Sequence, residues 1–330
     1  MNVLFIGGTG TISAACARRA IASGIHVTLL TRGRKAATVP GAEILTGDIT
    51  APSVAELLRG RTFDAVVNWI VYTPQEIERD VAHFRGRSKQ YIFISSASAY
   101  EKPPRSVIQN ENTPLRNPFW KYSHLKIECE ERLRRFEREE GFPITIVRPS
   151  HTYGPQTIPA AFNNSAHPWT IVQRLRQGKP VIVHGDGTSL WTLTHADDFA
   201  LGFVPLLGNT RAFGEDYHIT SDEALTWDAI THAVARAAGV EAKIVHVSSE
   251  TLHALTPGGR ETLLGDKMHC ALFDNAKIRR IAPDFRCTIP FAEGVKRSIA
   301  WFEEDPKRQT VDAEFDAVMD RIVARVGGFN

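Results

Sequence analysis

The sequence predicts an α/β chain built on a doubly wound parallel sheet, with a smaller C-terminal part interleaved with it. Two observations predict this class. Short apolar segments alternate with helical segments through the first half of the chain, and a glycine-rich turn stands between the first strand and the first helix. Ligands of such sheets bind at the carboxyl ends of the strands, so the residues that follow each strand are the first candidates for a site.

The predicted elements of the first half follow one another in regular order. Strands are predicted at residues 2–6, 25–30, 43–45, 64–68 and 90–94, and helices at residues 14–23, 54–59, 75–84 and 119–139. In the second half we predict a helix at 169–177, a strand at 180–183 and a last helix. That helix places Phe315, Val318, Ile322 and Val326 along one side, which is a pattern explained by packing.

The glycine-rich turn carries the first functional prediction. A strand, a tight turn and a helix together bring backbone N–H groups and a helix N-terminus onto a diphosphate. This arrangement predicts an NAD(P)-binding Rossmann fold, because glycine is needed where a Cβ would block the turn or the phosphate. The predicted cofactor contacts in the turn are Gly7, Gly8, Thr9, Gly10, Thr11 and Ile12. Ser13 stands where the usual fingerprint has a third glycine.

The ends of the next strands favour NADP over NAD. An enzyme that prefers NAD usually has an acid after the second strand, whereas a 2′-phosphate needs a guanidinium. The chain has Arg32 and Arg34 there and no acid. Asp48 and Ile49 follow the third strand, where an aspartate can bind the adenine amino group or cap a turn. Asn68, at the end of the fourth strand, is also predicted to contact the cofactor.

Tyr122 and Lys126 form a candidate acid/base pair. They stand four residues apart in a predicted helix, so their side chains leave the same face about one turn apart. A phenol has a pKa of about 10, and a fixed ammonium close by favours its anion. Lowering that pKa to about 7 takes roughly 4 kcal/mol, which a buried cation could supply together with the positive end of a bound nicotinamide. Such a pair can move a proton on or off a carbinol oxygen.

Composition and charge exclude several classes of function. The 330 residues are 43% hydrophobic and 23% charged, with a formal net charge of +2, so nothing favours a nucleic acid or a membrane as partner. The four cysteines lack ligand or disulfide spacing, so no metal site is predicted and a reducing cytoplasm is the expected location. No apolar run reaches membrane-spanning length.

Six motifs taken together resemble a known family. In chain order they are the Gly-Gly-x-Gly turn, the Ser-Ser-x-x-x-Tyr segment ending at Tyr100, Tyr122-x-x-x-Lys126, Val147-Arg148-Pro149, Tyr153-Gly154-Pro155 and His195-Ala196-Asp197-Asp198. Their order and spacing resemble an extended short-chain dehydrogenase/reductase of the NAD-dependent epimerase/dehydratase group, from residue 1 to about 300.

The resemblance implies roles for individual residues. Ser96 would orient the substrate oxygen, Tyr122 would be the base, and Lys126 would assist it and hold the nicotinamide ribose. Pro149, Ser150 and His151 would lie beside the nicotinamide, although His151 could equally be a structural histidine. The implied activity is oxidation, epimerisation or dehydration at a secondary hydroxyl or keto group of a sugar-like small molecule, with NADP or NAD as cofactor.

The resemblance also implies an organisation for the whole protein. Residues 1–165, with contributions from about 180–225, would form the NAD(P)-binding Rossmann domain, and residues 166–330 would mainly bind substrate. A homodimer formed by helices that include the Tyr122 helix is expected.

The substrate side departs from the family pattern in one respect. Nucleotide-sugar members commonly have an arginine just before the His-x-Asp-Asp element, whereas this chain has Leu190-Trp191-Thr192-Leu193-Thr194. The missing cation leaves room for a smaller sugar, polyol or sugar acid. Candidate substrate contacts are Ser98, Trp191, Lys267 and His269. Trp191 is alternatively a core residue, and the 264–269 segment is alternatively a solvated turn.

Two alternative functions remain open from the sequence. The chain also resembles chloroplast stem-loop RNA-binding proteins of the same fold, although RNA binding usually shows concentrated basic charge with stacking aromatics. The second alternative is a non-catalytic sensor of NADP(H). Such a sensor tends to lose the tyrosine or the lysine, and both are present here.

Overall fold

A computed structural model describes residues 1–33, 39–256 and 260–327 of the protein. Within them the strands are β1 (Asn2–Ile6), β2 (His26–Thr31), β3 (Glu43–Thr46), β4 (Ala65–Asn68), β5 (Tyr91–Ile94), β6 (Ile108–Gln109), β7 (Ile144–Pro149), β8 (His151–Tyr153), β9 (Val181–His184), β10 (Leu190–Trp191), β11 (Leu193–His195), β12 (Asp216–Ile219), β13 (Leu225–Thr226), β14 (Ile244–Val247) and β15 (Leu272–Phe273). The helices are α1 (Thr11–Ala22), α2 (Val54–Leu57), α3 (Pro74–Phe84), α4 (Lys121–Glu140), α5 (Trp169–Arg176), α6 (Ala196–Phe203), α7 (Trp227–Ala237), α8 (Ser249–Leu255), α9 (Ala276–Ile281), α10 (Phe291–Glu303) and α11 (Ala313–Gly327).

The main sheet confirms the predicted fold class. Among the described residues it has seven strands in the order β3-β2-β1-β4-β5-β7-β12, and every neighbouring pair is parallel. The chain runs outward from β1 in one direction to β3 and then returns to β4 on the other side. This reversal between β1 and β4 opens a crevice at the carboxyl ends of the strands, which is where such sheets bind ligands.

Helices cover both faces of the sheet because the central strands are apolar on both sides. Val3 and Phe5 of β1 belong to a buried cluster with residues of α1 and α6, whereas Leu4 and Ile6 belong to a cluster with residues of α2 and α3. The alternation follows from the two-residue period of a strand, which sends successive side chains to opposite faces. Continuous apolar strands of this kind are typical of buried parallel sheets.

The second half of the chain contributes to the main sheet and also builds a separate cluster. Strand β12 pairs with β7 at the edge of the sheet, and α6 packs against α1. The remaining elements surround a third buried cluster that includes Trp169, Trp227 and Phe291. In α11, Phe315, Val318 and Ile322 are buried as their spacing predicted, while Val326 is partly exposed. A search of the described residues for a helix with the length and hydropathy to cross a membrane finds none.

The predicted bounds of the elements differ from the observed ones by a few residues. The largest difference in the nucleotide-binding region is at α1, which begins at Thr11 and not at Ala14. The segment at 264–269 is a π-helical turn, Leu263–Lys267, and not an open loop. Gly265 makes this possible, because a Cβ there would lie 2.6 Å from the Cβ of Trp120.

Candidate active site

One continuous cleft runs along the carboxyl ends of the main sheet. Its first part, the nucleotide cleft, lies between the glycine turn and the ends of β2 and β3. Its second part, the central cleft, is lined by Ser96, Tyr122 and Lys126 and shares Gly7, Gly10, Ile70 and Tyr72 with the first. The third part, the substrate cavity, has a volume of about 420 Å³ and shares Ser96, Tyr122 and Ser150 with the central cleft.

The glycine turn leaves space in the cleft that a side chain would fill. Gly7 has a φ of 80°, and a Cβ there would lie 2.6 Å from Ile70. Gly8 serves packing, since its Cβ would lie 2.5 Å from Leu29 of β2. Gly7, Thr9 and Gly10 line the nucleotide cleft, and Thr11 and Ile12 line the central cleft. The turn therefore fits a diphosphate held by backbone N–H groups at the start of α1.

The nucleotide cleft brings together the predicted residues from the ends of β2 and β3. Arg32, Asp48 and Ile49 all line it, and Arg34 lies outside the described residues. Thr50 donates hydrogen bonds to the Asp48 carboxylate from its backbone N–H and its hydroxyl, and these lower the pKa of Asp48. Arg79, which the sequence analysis missed, lines the same cleft and pairs with Asp80. Two arginines, Arg32 and Arg79, thus line the nucleotide cleft.

Asn68, which was predicted to contact the cofactor, is not among the residues that line the cleft. Its side chain is fully buried at the end of β4. It donates to the Asp80 carboxylate and accepts a hydrogen bond of 2.9 Å from the backbone N–H of Ile70. The Tyr91 hydroxyl donates to the same carboxylate at 2.6 Å. Asn68 therefore stabilises a buried carboxylate, which would be costly to leave without partners.

Ser96, Tyr122 and Lys126 converge on the central cleft. Ser96 follows β5, and its Oγ lies 2.8 Å from the Oγ of Ser98. Tyr122 and Lys126 lie on α4, with the Lys126 Nζ 5.7 Å from the centroid of the Tyr122 ring. The ammonium donates hydrogen bonds to the carbonyl oxygens of Val71 at 2.6 Å and Ile94 at 2.8 Å. Helix spacing and strand end together place a phenol, an amine and a hydroxyl on one wall.

The groups around Tyr122 raise its pKa, although the sequence led us to expect that Lys126 would lower it. Burial of the phenol raises the pKa of Tyr122 to about 12, and a hydrogen bond with Ser96 opposes this only in part. Burial also lowers the pKa of Lys126 to about 8. The reason is geometric. The ammonium is directed at two backbone carbonyls and lies beside the rings of Tyr72 and Phe93, so it does not pair with the phenolic oxygen.

The segment after β7 divides between two parts of the cleft. Pro149 and Ser150 line the central cleft, whereas His151 lines the substrate cavity. The Nδ1 of His151 accepts a hydrogen bond of 3.3 Å from the Trp191 indole, and burial lowers the pKa of His151 to about 3. His151 is therefore neutral at physiological pH and lines the substrate cavity rather than the central cleft.

Three of the four predicted substrate residues line the substrate cavity. They are Ser98, Trp191 and Lys267. Trp191 also belongs to the buried core, with its ring 5.1 Å from that of Trp227, so one residue both lines the cavity and packs in the core. His269, the fourth, is not among the residues that line this cavity. Its ring turns back, with Nε2 3.1 Å from the Leu264 carbonyl oxygen.

Several lining residues of the cavity were missed in the sequence. Trp120 and Arg260 are the most consequential, because they supply an aromatic ring and a charge, while Asp266 belongs to the 264–269 segment already considered from the sequence. Trp120 precedes Tyr122 by two residues, and its ring lies 4.8 Å from the Tyr122 ring. Its proximity to the motif was a usable signal. Arg260 offered none, since it reaches the cavity only through the packing of the second half of the chain.

A sequence model described as the NAD dependent epimerase/dehydratase family matches residues 3–220. Among similar proteins, the chloroplast stem-loop binding protein of 41 kDa b from Arabidopsis thaliana is 29% identical over 261 residues, covering 74% of this chain and 65% of that protein. The 2'-dehydrokanamycin reductase of Streptomyces kanamyceticus is 24% identical, covering 87% of this chain and 80% of that protein.

The chain spans less than two thirds of some of these relatives. A UDP-N-acetyl-alpha-D-glucosaminuronate decarboxylase from Bacillus cytotoxicus is 25% identical, and the match covers 66% of this chain and 64% of that protein.

Solved structures show the same fold at low sequence identity. The epimerase Mth375 from Methanothermobacter thermautotrophicus has a TM-score of 0.75 at 18% identity, covering 93% of both chains. The UDP-glucuronic acid 4-epimerase from Bacillus cereus in complex with NAD has a TM-score of 0.71 at 18% identity, covering 96% of this chain and 99% of that one. Since the family match includes the glycine turn and the Tyr122 helix, the chain belongs to the NAD dependent epimerase/dehydratase family.

Proposed function

We propose that this protein is an NAD(P)-dependent oxidoreductase, epimerase or dehydratase that acts on a secondary hydroxyl or keto group of a sugar-like molecule. The observation that carries the proposal is the position of Ser96, Tyr122 and Lys126. They line the central cleft, which joins the nucleotide cleft to the substrate cavity, and Ser96 and Tyr122 also line the substrate cavity. A substrate oxygen in that cavity would meet a phenol and a hydroxyl beside the dinucleotide site.

Each of the three side chains has a role that its contacts support. Tyr122 exchanges the proton of the substrate hydroxyl, and Ser96 donates to the same oxygen and orients it. Two of the three N–H groups of Lys126 are engaged by the carbonyl oxygens of Val71 and Ile94, so one remains for the phenol or for a ribose hydroxyl. A bound nicotinamide would supply hydride exchange and a positive charge. That charge would favour the phenolate, which the protein's own groups disfavour.

The phenol is tested by Tyr122→Phe. Removing a general acid/base costs about 10²- to 10⁴-fold in rate, so turnover should fall by at least about a hundredfold while the dissociation constant of NADP stays within about twofold. Activity is read from the absorbance of the reduced nicotinamide in a screen of sugars, sugar acids and nucleotide sugars. Tyr217→Phe, in β12 and outside the cleft, is the matched control. Wild-type turnover in Tyr122→Phe would refute the proposal.

The same proposal covers the organisation of the chain. Residues 1–165, with about 180–225, would bind the dinucleotide, and the rest of 166–330 would mainly bind substrate. The pairing of β12 with β7 supports the shared boundary. We also propose a homodimer through helices that include α4, with its exposed residues on the interface. A solution mass equal to one chain at micromolar concentration would remove the dimer.

RNA binding is a second candidate, favoured by the similarity to the chloroplast stem-loop binding protein. The nearly balanced charge of +2 counts against it, because non-specific RNA binding depends on phosphate contacts by Lys and Arg. A stem-loop RNA titrated at physiological salt decides between the two. Submicromolar binding that NADP does not displace would favour this candidate.

A further inference from the structure

The second half of the chain contributes two cationic side chains to the substrate cavity. Arg260 and Lys267 both line the cavity that Ser96 and Tyr122 line from the other half. Neither residue belongs to a motif by which the family resemblance was made. Their contacts show which of their charges and donors remain available to a ligand.

The ammonium of Lys267 is held in place without being neutralised. Its Nζ donates hydrogen bonds to the carbonyl oxygens of Ala160 at 2.9 Å and Ala161 at 3.2 Å. An ammonium has three donors, so one is left for the cavity. Burial lowers the pKa of Lys267 to about 8, and it therefore remains mostly charged at neutral pH.

The guanidinium of Arg260 is held by aromatic rings rather than by an acid. It lies 4.9 Å from the centroid of the Phe315 ring and 5.5 Å from that of Phe162. Its Nε is buried and has no hydrogen-bond partner within residues 1–33, 39–256 and 260–327. Asp312 attracts it only through space. The two rings hold a planar guanidinium in a residue that lines the cavity, and such a fork of donors is suited to a carboxylate.

The acid in the cavity wall does not cancel these charges. Asp266 also lines the cavity, but both Lys102 and Lys267 act on its carboxylate. Lys102 is almost completely buried. With Lys102 and Asp312 counted, three cations and two carboxylates leave this region with a net charge of about one positive, in surroundings where an unpaired charge is costly. A bound anion would relieve that cost.

We propose that Arg260 and Lys267 form an anion subsite, and that the sugar-like substrate carries a carboxylate there, which makes it a sugar acid. The inference rests on the proposed function only in placing the hydroxyl or keto group of the substrate at Ser96 and Tyr122. A carboxylate fits better than a diphosphate because the Leu190–Thr194 segment beside the cavity contains no further cation. Ser96 and Tyr122 would then receive the hydroxyl or keto group of the same molecule.

The test measures binding without turnover. Trp120 and Trp191 line the cavity, so tryptophan fluorescence reports its occupation. D-glucuronate, D-glucose, inorganic phosphate and UDP are titrated into the full chain with and without saturating NADP. Hydrogen bonds to charged groups change affinity by roughly ten- to a hundredfold, so glucuronate should bind at least about tenfold more tightly than glucose. Arg260→Gln should reduce this preference to less than about threefold.

Two further variants make the result decisive. Arg260→Lys keeps the charge but loses the planar fork, so it should retain only part of the preference, more than Arg260→Gln does. Lys296→Gln removes an exposed cation of α10 and should change nothing. Equal binding of glucuronate and glucose, no binding of glucuronate, or an unchanged preference in Arg260→Gln would overturn the subsite. Tighter binding of UDP or phosphate than of glucuronate would show that the anion bound at the subsite is not a carboxylate. Loss of turnover in Tyr122→Phe is independent of all these outcomes, so the two proposals fail separately.

Discussion

At the scale of single residues, Lys126 shows how burial changes the chemistry that a motif implies. In a solvated helix an ammonium four residues from a tyrosine would be free to approach its oxygen. Here the side chain is buried, and its ammonium donates hydrogen bonds to the backbone carbonyl oxygens of Val71 and Ile94. The lysine is therefore a fixed part of the cleft wall. Activation of the phenol then depends on what binds next to it.

Arg32 gives a prediction about cofactor choice. Its guanidinium lines the nucleotide cleft, where no acid follows β2 to accept ribose hydroxyls. Because a charge-assisted contact to a 2′-phosphate is worth more than a contact to a hydroxyl, Arg32→Ala should weaken NADP binding at least about tenfold and NAD binding less than about threefold. Calorimetric titration with each dinucleotide checks this.

The control for Arg32 is Arg61→Ala, since Arg61 pairs with Glu43 and does not line the cleft. Equal losses for NAD and NADP in Arg32→Ala would contradict the preference for NADP. Arg79 lies in the same cleft, so a small effect of Arg32→Ala with a large effect of Arg79→Ala would transfer the role to Arg79.

His218 gives a prediction about pH and stability. Its ring is completely buried, with Nδ1 3.0 Å from the Tyr100 hydroxyl and Nε2 2.8 Å from the Asp274 carbonyl oxygen, and burial lowers its pKa to about 4. Below pH 6.5 the unfolded chain binds a proton at this histidine that the folded protein does not, so the free energy of unfolding falls as the pH falls toward 4. This histidine alone should make the free energy of unfolding about 2 kcal/mol lower at pH 5 than at pH 8.

His218→Gln removes the titrating group. The variant should be less stable at pH 8, but its loss of stability between pH 8 and pH 5 should be about 2 kcal/mol smaller than that of the wild type. Urea unfolding at the two pH values measures both quantities. Parallel pH dependences of the two proteins would show that His218 does not titrate as its burial implies. Groups that do not contact His218 cancel in this comparison, whereas Glu111, 3.9 Å from its Nε2, does not.

At the scale of elements, Ser13 explains how the glycine turn keeps its shape without a third glycine. The Ser13 Oγ accepts a hydrogen bond of 2.9 Å from the backbone N–H of Gly10 and donates one of 3.1 Å to the Gly7 carbonyl oxygen. The side chain therefore ties both ends of the turn to the first turn of α1. Ser13, which stands in place of the third glycine of the fingerprint, is therefore a structural part of the turn.

Ser13→Ala should loosen this turn. The loss of a cap of this kind costs about 1 kcal/mol of folding free energy, and dinucleotide binding should weaken about three- to tenfold because the turn is less well ordered. Denaturant unfolding and dinucleotide titration check the two effects. Ser23→Ala, at the exposed end of the same helix, is the control. Unchanged dinucleotide affinity in Ser13→Ala would show that the turn holds without the serine.

At the scale of the whole molecule, the two halves of the chain complete each other. The main sheet takes its last strand, β12, from residues beyond 180, and α6 covers one face by packing against α1. Phe199 and Phe203 of α6 are fully buried in the same cluster as Val3 and Phe5. The nucleotide-binding half therefore lacks part of its core when the chain is cut between the halves.

This dependence predicts the behaviour of fragments. Residues 1–165 should not unfold cooperatively or bind a dinucleotide, because they lack α6 and β12 and expose an apolar face. The full chain should show a cooperative transition under the same conditions. Circular dichroism during urea unfolding, with dinucleotide titration, distinguishes the two. A cooperative, dinucleotide-binding 1–165 fragment would show that the first half is an independent domain.

Whether a predicted site residue lines the cleft follows from how local its signal was. The glycine turn, Arg32, Asp48 and the Tyr122–Lys126 spacing depend on neighbours in the chain, and all of them line the cleft. Asn68 and His269 also stand at element ends, where a side chain can turn either way. Asn68 turned toward Asp80, and His269 turned toward a backbone carbonyl. Nothing in their local sequence indicated that choice.

The sequence by itself determined the strand and helix order of the first half and the parallel sheet, because these follow from periodicity and from backbone geometry over a few residues. The tertiary structure decided the electrostatics of the site. It buried Tyr122 and Lys126 enough to shift both pKa values, and it brought Arg260 and Lys267 into the cavity of Ser96. Burial and charge at a point depend on everything that packs around it, and those neighbours come from distant parts of the chain.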